Sequence, residues 1–483
     1  MRCSLTFLLA LGLLAFSPVQ ARQPNVIFML IDDMGWTDLG CYGSKYYETP
    51  NIDKLAKDGM RFTEAHSACT VCSPTRSAIM TGKYPARTHI TDWIAGHDRP
   101  FAKLKIPDWR KYLPLEEETI AKRFKSAGYS TISIGKWHLG GPEYWPEHQG
   151  FDINVGGMDI GSPPSYFSPY KIKTLPDGPE GEFLPERLTG EAVKFIDGHK
   201  DQPFFIYFPH YAVHTPINAK KEIIAKYQAK RAVGGHSNPV YAGLVESVDD
   251  SVGVLRAKLE ELGLGKDTIF IFTSDNGGLS QMVNGKGWSR GPTDNSPARL
   301  GKGSAYEGGT RIPLIVTWPG QIKAGSECKE PVISCDHYPT LLELTGIADA
   351  AGHQSDGQSM AALLRETGSF QRESIYWHYP HYHPGSATPY SAVRQGEWKL
   401  VEFFEDMHAE LYNLRRDPGE SDNVARENPD QVKAMVANLH AWRDSVGAQI
   451  PVPNPNYNPE KAWDGKGTEG NPNRVIKRSG KGK

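Results

Sequence analysis

Two stretches run apolar almost without interruption, residues 25–31 (Asn-Val-Ile-Phe-Met-Leu-Ile) and 268–273 (Thr-Ile-Phe-Ile-Phe-Thr). They show neither the alternation of a half-buried strand nor the three-to-four spacing of a helix face. Such runs read as strands buried on both faces, the mark of a parallel sheet covered by helices. Shorter strands are expected at 60–62, 130–134, 203–208 and 312–318. Helical spacing with start and stop signals predicts helices over 49–56, 119–127, 188–196, 240–262 and 339–345, several closed by a glycine (Gly59, Gly128, Gly263). A further helix starts at Cys72: Pro74 suits a first turn, Ser77 to Met80 continue it and Gly82 stops it. Residues 88–115, rich in Pro, Trp, His and charge, read as a long loop layer, and 141–185 as an insertion over the sheet edge. Strands alternating with helices predict an α/β fold with a large, mostly parallel central sheet and helices on both faces.

The pattern changes after about residue 365. Segments 390–404 and 409–414 alternate like antiparallel strands, and Val432, Met435, Val436, Leu439 and Trp442 recur at helical spacing as a packing stripe. This predicts a smaller C-terminal α+β domain with an antiparallel sheet. The expected division is a signal peptide over 1–21, a large domain over 22–365, the α+β unit over 366–450 and a polar tail without periodicity over 451–483. Arg2, the apolar run 5–16 and Val19-Gln20-Ala21 make the secretory signal, and the run is too short to span a membrane. The 483 residues suit one large domain plus a smaller one. A net charge of −2 gives no basic field for nucleic acid, so any anion must be recognised by a local cluster. Of six cysteines, Cys3 leaves with the signal. Cys328 and Cys335 flank a short segment and could pair in an oxidising compartment, but connectivity is not readable from sequence, and Cys41, Cys69, Cys328 and Cys335 can equally be buried small hydrophobes. No metal–thiolate spacing occurs.

Candidate chemistry collects where the strands end. Asp32 and Asp33 follow the first apolar run and Asp275 and Asn276 the second. Lys136 and His138 follow 130–134 and, alternating along an extended segment, point the same way. His214 follows 203–208. Each alone reads blandly, as a turn aspartate, a surface lysine or a loop histidine. In a parallel sheet, however, these ends converge on one edge. Adjacent carboxylates repel unless a cation lies between them. Three carboxylates and an amide oxygen suit a hard divalent cation, Ca²⁺ ahead of Mg²⁺ because the side chains alone form the cage. Arg76, Lys136, Lys302 and two histidines surround the same spot, which calls for a tetrahedral oxyanion, sulfate or phosphate. Cys72 at a helix N-terminus puts a reactive side chain where negative charge is favoured.

The segment Cys72-Ser73-Pro74-Thr75-Arg76, followed by Thr81-Gly82-Lys83, resembles the maturation signature of the type I formylglycine-dependent sulfatases, of the alkaline phosphatase-like superfamily. The resemblance extends over 25–318 through Asp32-Asp33, Gly135-Lys136-Trp137-His138-Leu139-Gly140, His214-Thr215-Pro216, Asp275-Asn276-Gly277 and Gly301-Lys302-Gly303 with Tyr306-Glu307-Gly308-Gly309. Gly396-Glu397-Trp398-Lys399-Leu400 and Leu411-Tyr412-Asn413-Leu414 resemble that family's C-terminal domain. It implies a catalytic role for 22–365 and one Ca²⁺ per chain held by Asp32, Asp33, Asp275, Asn276 and the group at Cys72. Cys72 would be converted to formylglycine by a maturation enzyme. A hydroxyl of the aldehyde hydrate would attack sulfur, releasing an alcohol and leaving a covalent enzyme sulfate. Arg76, Lys136 and His138 would position the hydrate, with His138 the base that expels sulfate. Lys136, His214 and Lys302 would bind the substrate's sulfate, the last two also helping the leaving oxygen depart. The resemblance points to a sulfated carbohydrate, a galactose or N-acetylgalactosamine sulfate of a polysaccharide or glycosaminoglycan. It implies export to a periplasmic or extracellular space, or a lysosomal-type compartment in a eukaryote, with neither nucleic acid nor a membrane span involved. Sugar choice would lie with loop residues among His89, Trp93, His97, Arg99, His210, Arg299, His381 and His383; the last two alternate around Tyr382, so both are expected at the cleft. The competing readings are a phosphate or phosphonate monoesterase on the same fold, and a secreted glycan-binding pseudoenzyme, which would need a lost ligand or nucleophile.

Overall fold

Eight strands form the central sheet: β1 (Asn25–Ile31), β2 (Met60–Phe62), β3 (Ser130–Ile134), β4 (Ile153–Val155), β5 (Phe204–Pro209), β6 (Thr268–Ser274), β7 (Leu314–Thr317) and β8 (Ser326–Cys328). Their order is β8-β2-β7-β6-β1-β5-β3-β4. This computed structural model describes residues 23–284, 287–385 and 387–462; the expected signal peptide and most of the expected tail lie outside the described residues. β1 pairs in parallel with β5 and β6, β5 with β3, and β3 with β4. Only β7 runs antiparallel to its neighbours β2 and β6. The carboxyl ends of β1, β3, β5 and β6 therefore open on one edge.

Alternate residues of the central strands enter two separate cores. Ile27, Met29 and Ile31 join Ile206, Phe208, Phe270 and Phe272, and are covered by helices Pro50–Asp58, Leu184–His199 and Pro239–Glu261. Val26, Phe28 and Leu30 join Phe205, Tyr207, Ile269 and Ile271, covered by helices Cys72–Thr81, Ile120–Ser126 and His337–Thr345. Both faces being buried explains why the strands are apolar at every position rather than at every second one.

The C-terminal sheet is β9 (Ile375–Tyr379), β10 (Tyr390–Gln395), β11 (Trp398–Phe403) and β12 (Ala409–Asn413), all antiparallel. Helix Pro429–Val446 lays Met435, Leu439, Trp442 and Val446 on it. The same core takes in Ala68, Cys69, Val71 and Ala78, so this sheet packs against the start of helix Cys72–Thr81. On β11, buried Lys399 Nζ reaches Glu307 at 3.0 Å and Glu420 at 2.9 Å. The described start of the expected tail lies on the surface, Val452–Pro453 pairing with Leu104–Lys105.

One expectation is corrected, and one alternative left open by the sequence is decided. Segment 141–185 is not only an insertion: it contributes edge strand β4. Cys328 and Cys335 are not paired; with Cys41, Cys69 and Cys72 they are free thiols. Cys328 lies in β8 and Cys335 in a short helical turn against Tyr84, each buried as a small apolar group.

Helix Pro50–Asp58 begins without a cap from its own Thr49; instead Asp249, from helix Pro239–Glu261, accepts Asn51 N (3.2 Å) and Ile52 N (2.7 Å). Burial raises the Asp249 carboxyl from 3.8 to about 6, against the lowering effect of those bonds. The folded state thus holds this proton to higher pH than the unfolded chain, and this group's contribution to stability falls as pH rises from about 4 to about 6. Urea unfolding followed across that window should show a smaller fall with pH for Asp249→Asn than for wild type; identical slopes would contradict the assignment.

Candidate active site

Each strand end delivers its side chain for a local reason. β1 stops at Ile31, and the next two residues turn with Asp33 in the left-handed region (φ 62°). This conformation is uncommon outside glycine. The turn is pinned by Asp38 Oδ2, which accepts Gly35 N at 2.8 Å and the Tyr241 hydroxyl at 2.5 Å. β3 is followed by Gly135 and then by Lys136 and His138. They reach one site, but not through extended alternation: His138 is itself left-handed (φ 59°), and its N–H bonds to Met158 O. A Cβ at Gly161 would come within 2.7 Å of the His138 ring, so that glycine leaves room for it.

Around Cys72 three carboxylates meet three cations, all buried. Lys136 Nζ lies 2.8 Å from Asp32 Oδ2, and Lys302 Nζ lies 2.8 Å from Asp33 Oδ2. Arg76 donates from Nε (2.9 Å) and Nη2 (2.8 Å) to Asp275 Oδ2, and from Nη1 to Lys136 O (2.7 Å). Arg76 is 0% exposed and every nitrogen is engaged, so it orients Asp275 and the β3 end. Asn276 Nδ2 donates to Asp33 Oδ1 at 2.9 Å.

Two buried oxygens of this set, Asp32 Oδ1 and Asn276 Oδ1, receive no hydrogen bond. An unmatched buried acceptor is costly, and a hard cation relieves it. Burial pushes Asp32 up to about 8, with Asp275 and Asp33 adding to the rise and Lys136 and Arg76 opposing it. For Asp33 burial acts the same way, but Lys302, His214 and Lys136 outweigh it and hold the carboxyl low. The oxygen set therefore fits a divalent cation. Ligand atoms of Asp32, Asp33 and His214 also come within 4.8 Å of one another. His214 is nonetheless engaged elsewhere: its Nε2 accepts from Lys302 Nζ at 3.0 Å while Nδ1 donates to Thr215 O.

Both histidines are neutral. Burial, reinforced by Lys302, lowers His214 to about 3; burial and then Lys136 hold His138 well below its ordinary value. His138 Nε2 donates to Ile94 O, which leaves Nδ1 as an acceptor 3.3 Å from Cys72 Sγ. Burial raises the Cys72 thiol, against Lys136 and Lys302. A thiol held protonated is a poor nucleophile.

The loop residues expected at the cleft separate into two groups. Trp93, His97 and His383 stand near His138 and Lys302. His210 does not: it is fully buried one residue past β5, its Nδ1 accepting Ala212 N. His381 turns into the protein, bonded to the Thr91 hydroxyl at 2.8 Å, so only one of the alternating pair serves the cleft. Arg299 stacks 3.8 Å from the Tyr306 ring and bonds Glu420 O, and His89 bonds Gly447 O; both tie segments together. Arg99 is buried close to Asp92 and Tyr379. The sequence pattern gave no sign of Asp92, a buried carboxylate that accepts the Tyr379 hydroxyl at 2.7 Å and fixes the loop carrying Trp93.

The family model for sulfatases matches residues 24–347, which include every strand-end residue described above. The chain belongs to the sulfatase family. A second model, for the C-terminal part of N-sulphoglucosamine sulphohydrolase, matches residues 300–445 of this sulfatase. It is 33% identical to human arylsulfatase A over 89% of each chain. It is 34% identical to the N-acetylgalactosamine-6-sulfatase of Rattus norvegicus, covering 77% of this chain and 71% of that one. Among solved structures, Ps i-CgsB in complex with k-i-k-neocarrahexaose superposes with a TM-score of 0.73 at 29% identity, covering 90% of this chain and 95% of that one. The sulfatase is thus a sulfuric ester hydrolase on the alkaline phosphatase-like fold. No described helix is long and apolar enough to cross a membrane.

Proposed function

We infer that this sulfatase removes sulfate from a galactose or N-acetylgalactosamine unit of a sulfated polysaccharide or glycosaminoglycan, with Ca²⁺ and a formylglycine at position 72. The observation that carries the reading is the buried ring of Asp32, Asp33, Asp275, Arg76, Lys136 and Lys302 around Cys72, in which protein charges balance and a divalent cation leaves an excess matched by an anionic ester. The relatives named for N-acetylgalactosamine-6-sulfate and the neocarrahexaose complex support the choice of sugar. A cation held by Asp32, Asp33, Asp275 and Asn276 supplies Lewis-acid polarisation of the sulfuryl oxygens. A formylglycine at position 72 supplies a hydroxyl nucleophile in place of the thiol. The chain's own groups do the rest. Lys136, fixed by Asp32, and Lys302, fixed by Asp33, hold the sulfate. His138 Nδ1, the only open nitrogen of that ring, accepts a proton from the group at position 72. Lys302 Nζ stands ready to protonate the leaving oxygen, with His214 Nε2 holding it in place. Residues 22–365 carry this chemistry, 366–450 buttress it through Lys399 and Glu307, and 1–21 direct export.

The test is relative turnover of an aryl sulfate and an aryl phosphate by protein co-produced with a formylglycine-generating enzyme. Sulfate ester turnover should exceed phosphate by about tenfold or more. Dominant phosphatase or phosphonate esterase activity, or sugar binding without turnover, would sink the reading.

A further inference from the structure

An arc of aromatic side chains leads from the nucleophile to the sulfate-holding lysine. It starts at His138, beside Cys72. The Trp93 ring lies 6.4 Å from it, His97 lies 5.2 Å from Trp93, and His383 lies 4.9 Å from His97. His383 then rests on Gly303, next to Lys302: a Cβ there would fall 1.7 Å from His383 Nδ1, and the φ of +74° also calls for glycine. Trp93 and His97 come from the loop after the short helix Pro85–Thr88, whereas His383 comes from the segment after β9. The C-terminal unit thereby supplies one side of the cleft.

Hydrogen bonds fix how these rings present themselves. His97 Nδ1 accepts the Trp93 indole N–H at 3.1 Å, and His383 Nδ1 accepts Gly385 N at 2.8 Å. Each ring therefore carries its proton on Nε2, and neither Nε2 has a hydrogen-bond partner among the described residues. Burial keeps His383 well below its ordinary value and uncharged. Beneath the arc, Asp92 Oδ1 accepts the Tyr379 hydroxyl and Trp93 N (2.9 Å), while its Oδ2 receives no hydrogen bond and stands 3.8 Å from His97 Nδ1. An indole with two fixed N–H donors matches a neutral sugar ring: C–H groups pack on the aromatic face and hydroxyls accept from the donors. Trp93, His97 and His383 bring no ammonium or guanidinium to pair with a ring carboxylate, and the Asp92 carboxylate 3.8 Å from His97 repels one.

We propose that Trp93, His97 and His383 determine specificity, selecting an uncharged hexose or N-acetylhexosamine ring as the carrier of the scissile sulfate over a uronate. This rests on the sulfatase reading above. The test compares kcat/KM for galactose 6-sulfate or N-acetylgalactosamine 6-sulfate with kcat/KM for 4-nitrophenyl sulfate, which has no sugar, using matured full-length protein. In His97→Ala and in His383→Ala the sugar-to-aryl ratio should fall about fivefold or more, the worth of roughly one hydrogen bond. A ratio does not depend on how much protein is folded, so a poorly folding variant still reports. Wild type should also prefer the neutral sugar sulfates to a uronate 2-sulfate by about tenfold or more. Unchanged ratios in both variants would overturn the proposal and leave the proposed function standing; a preference for the uronate, or turnover of the aryl sulfate with neither neutral sugar, would overturn the proposal together with the choice of sugar and leave only the sulfate ester hydrolase standing. A wild type inert toward all of them would overturn both.

Discussion

Alanine at position 72 is expected to lower sulfate-ester turnover by about 10⁴-fold or more while leaving the protein folded. The size of the effect follows from what surrounds the side chain. The cations at Arg76, Lys136 and Lys302 are tied to carboxylates and the two histidines are neutral acceptors, so no other group in the ring can take over as nucleophile. Truncation removes one buried sulfur whose polar contact is the 3.3 Å approach to His138 Nδ1, and leaves helix Cys72–Thr81 and its core contacts at Ile79 and Met80 in place. The stability cost should be no more than about 1–2 kcal/mol, read as a melting-temperature change of a few degrees. The chemical identity of the residue can be read separately. Mass spectrometry of the position-72 peptide from active protein should show an aldehyde that a hydrazide probe captures. Full activity in protein carrying the unmodified thiol would refute the formylglycine assignment, because burial holds that thiol protonated and leaves it a weak nucleophile.

How much of the fold is legible in the amino-acid sequence divides along physical lines. β1 and β6 are legible to within a residue because burial on both faces removes every polar position, and few other arrangements tolerate such a run. The convergence of Asp32, Lys136, His214 and Asp275 follows from parallel pairing alone. β4 escapes because it is a three-residue edge strand with Ile153 exposed, leaving no apolar signal. The reversed direction of β7 escapes too, since a four-residue apolar strand looks the same from either end. Histidines are the hardest case. His210 and His214 both follow β5, yet one packs against Phe208 and the other bonds Lys302; distance along the chain does not say which way a loop turns a ring. Alternation fails for His381 and His383 because the strand has already ended at Tyr379. For Lys136 and His138 the expected outcome is reached by a left-handed turn instead, a conformation a histidine does not advertise.

The second large effect concerns the cation. Adding Ca²⁺ to chelator-treated protein should raise the melting temperature with concentration, and removing it should abolish turnover. The orphaned oxygens give the reason: Asp32 Oδ1 and Asn276 Oδ1 are buried without donors, and Asp32, pushed up by burial and by Asp275 and Asp33, gains most from a positive charge placed beside it. A ligand at about a hundred times its dissociation constant stabilises by about 2.7 kcal/mol. In a chain of this size that is several degrees. Asp32→Ala should lose the Ca²⁺ response and more besides, because it strips Lys136 of the carboxylate 2.8 Å away and leaves a buried ammonium unpaired, at a cost of roughly 3–5 kcal/mol. Asn276→Ala removes an oxygen without unpairing a charge, so its apo stability should fall by less while the Ca²⁺-dependent shift shrinks as much. That pair of variants separates metal binding from the ion pairs that share its residues. A wild-type melting temperature indifferent to Ca²⁺ and to chelator, or a full Ca²⁺ shift retained in Asn276→Ala, would remove the metal from this site; a shift with Mg²⁺ as large as with Ca²⁺ would keep the cage but contradict its preference for the larger ion.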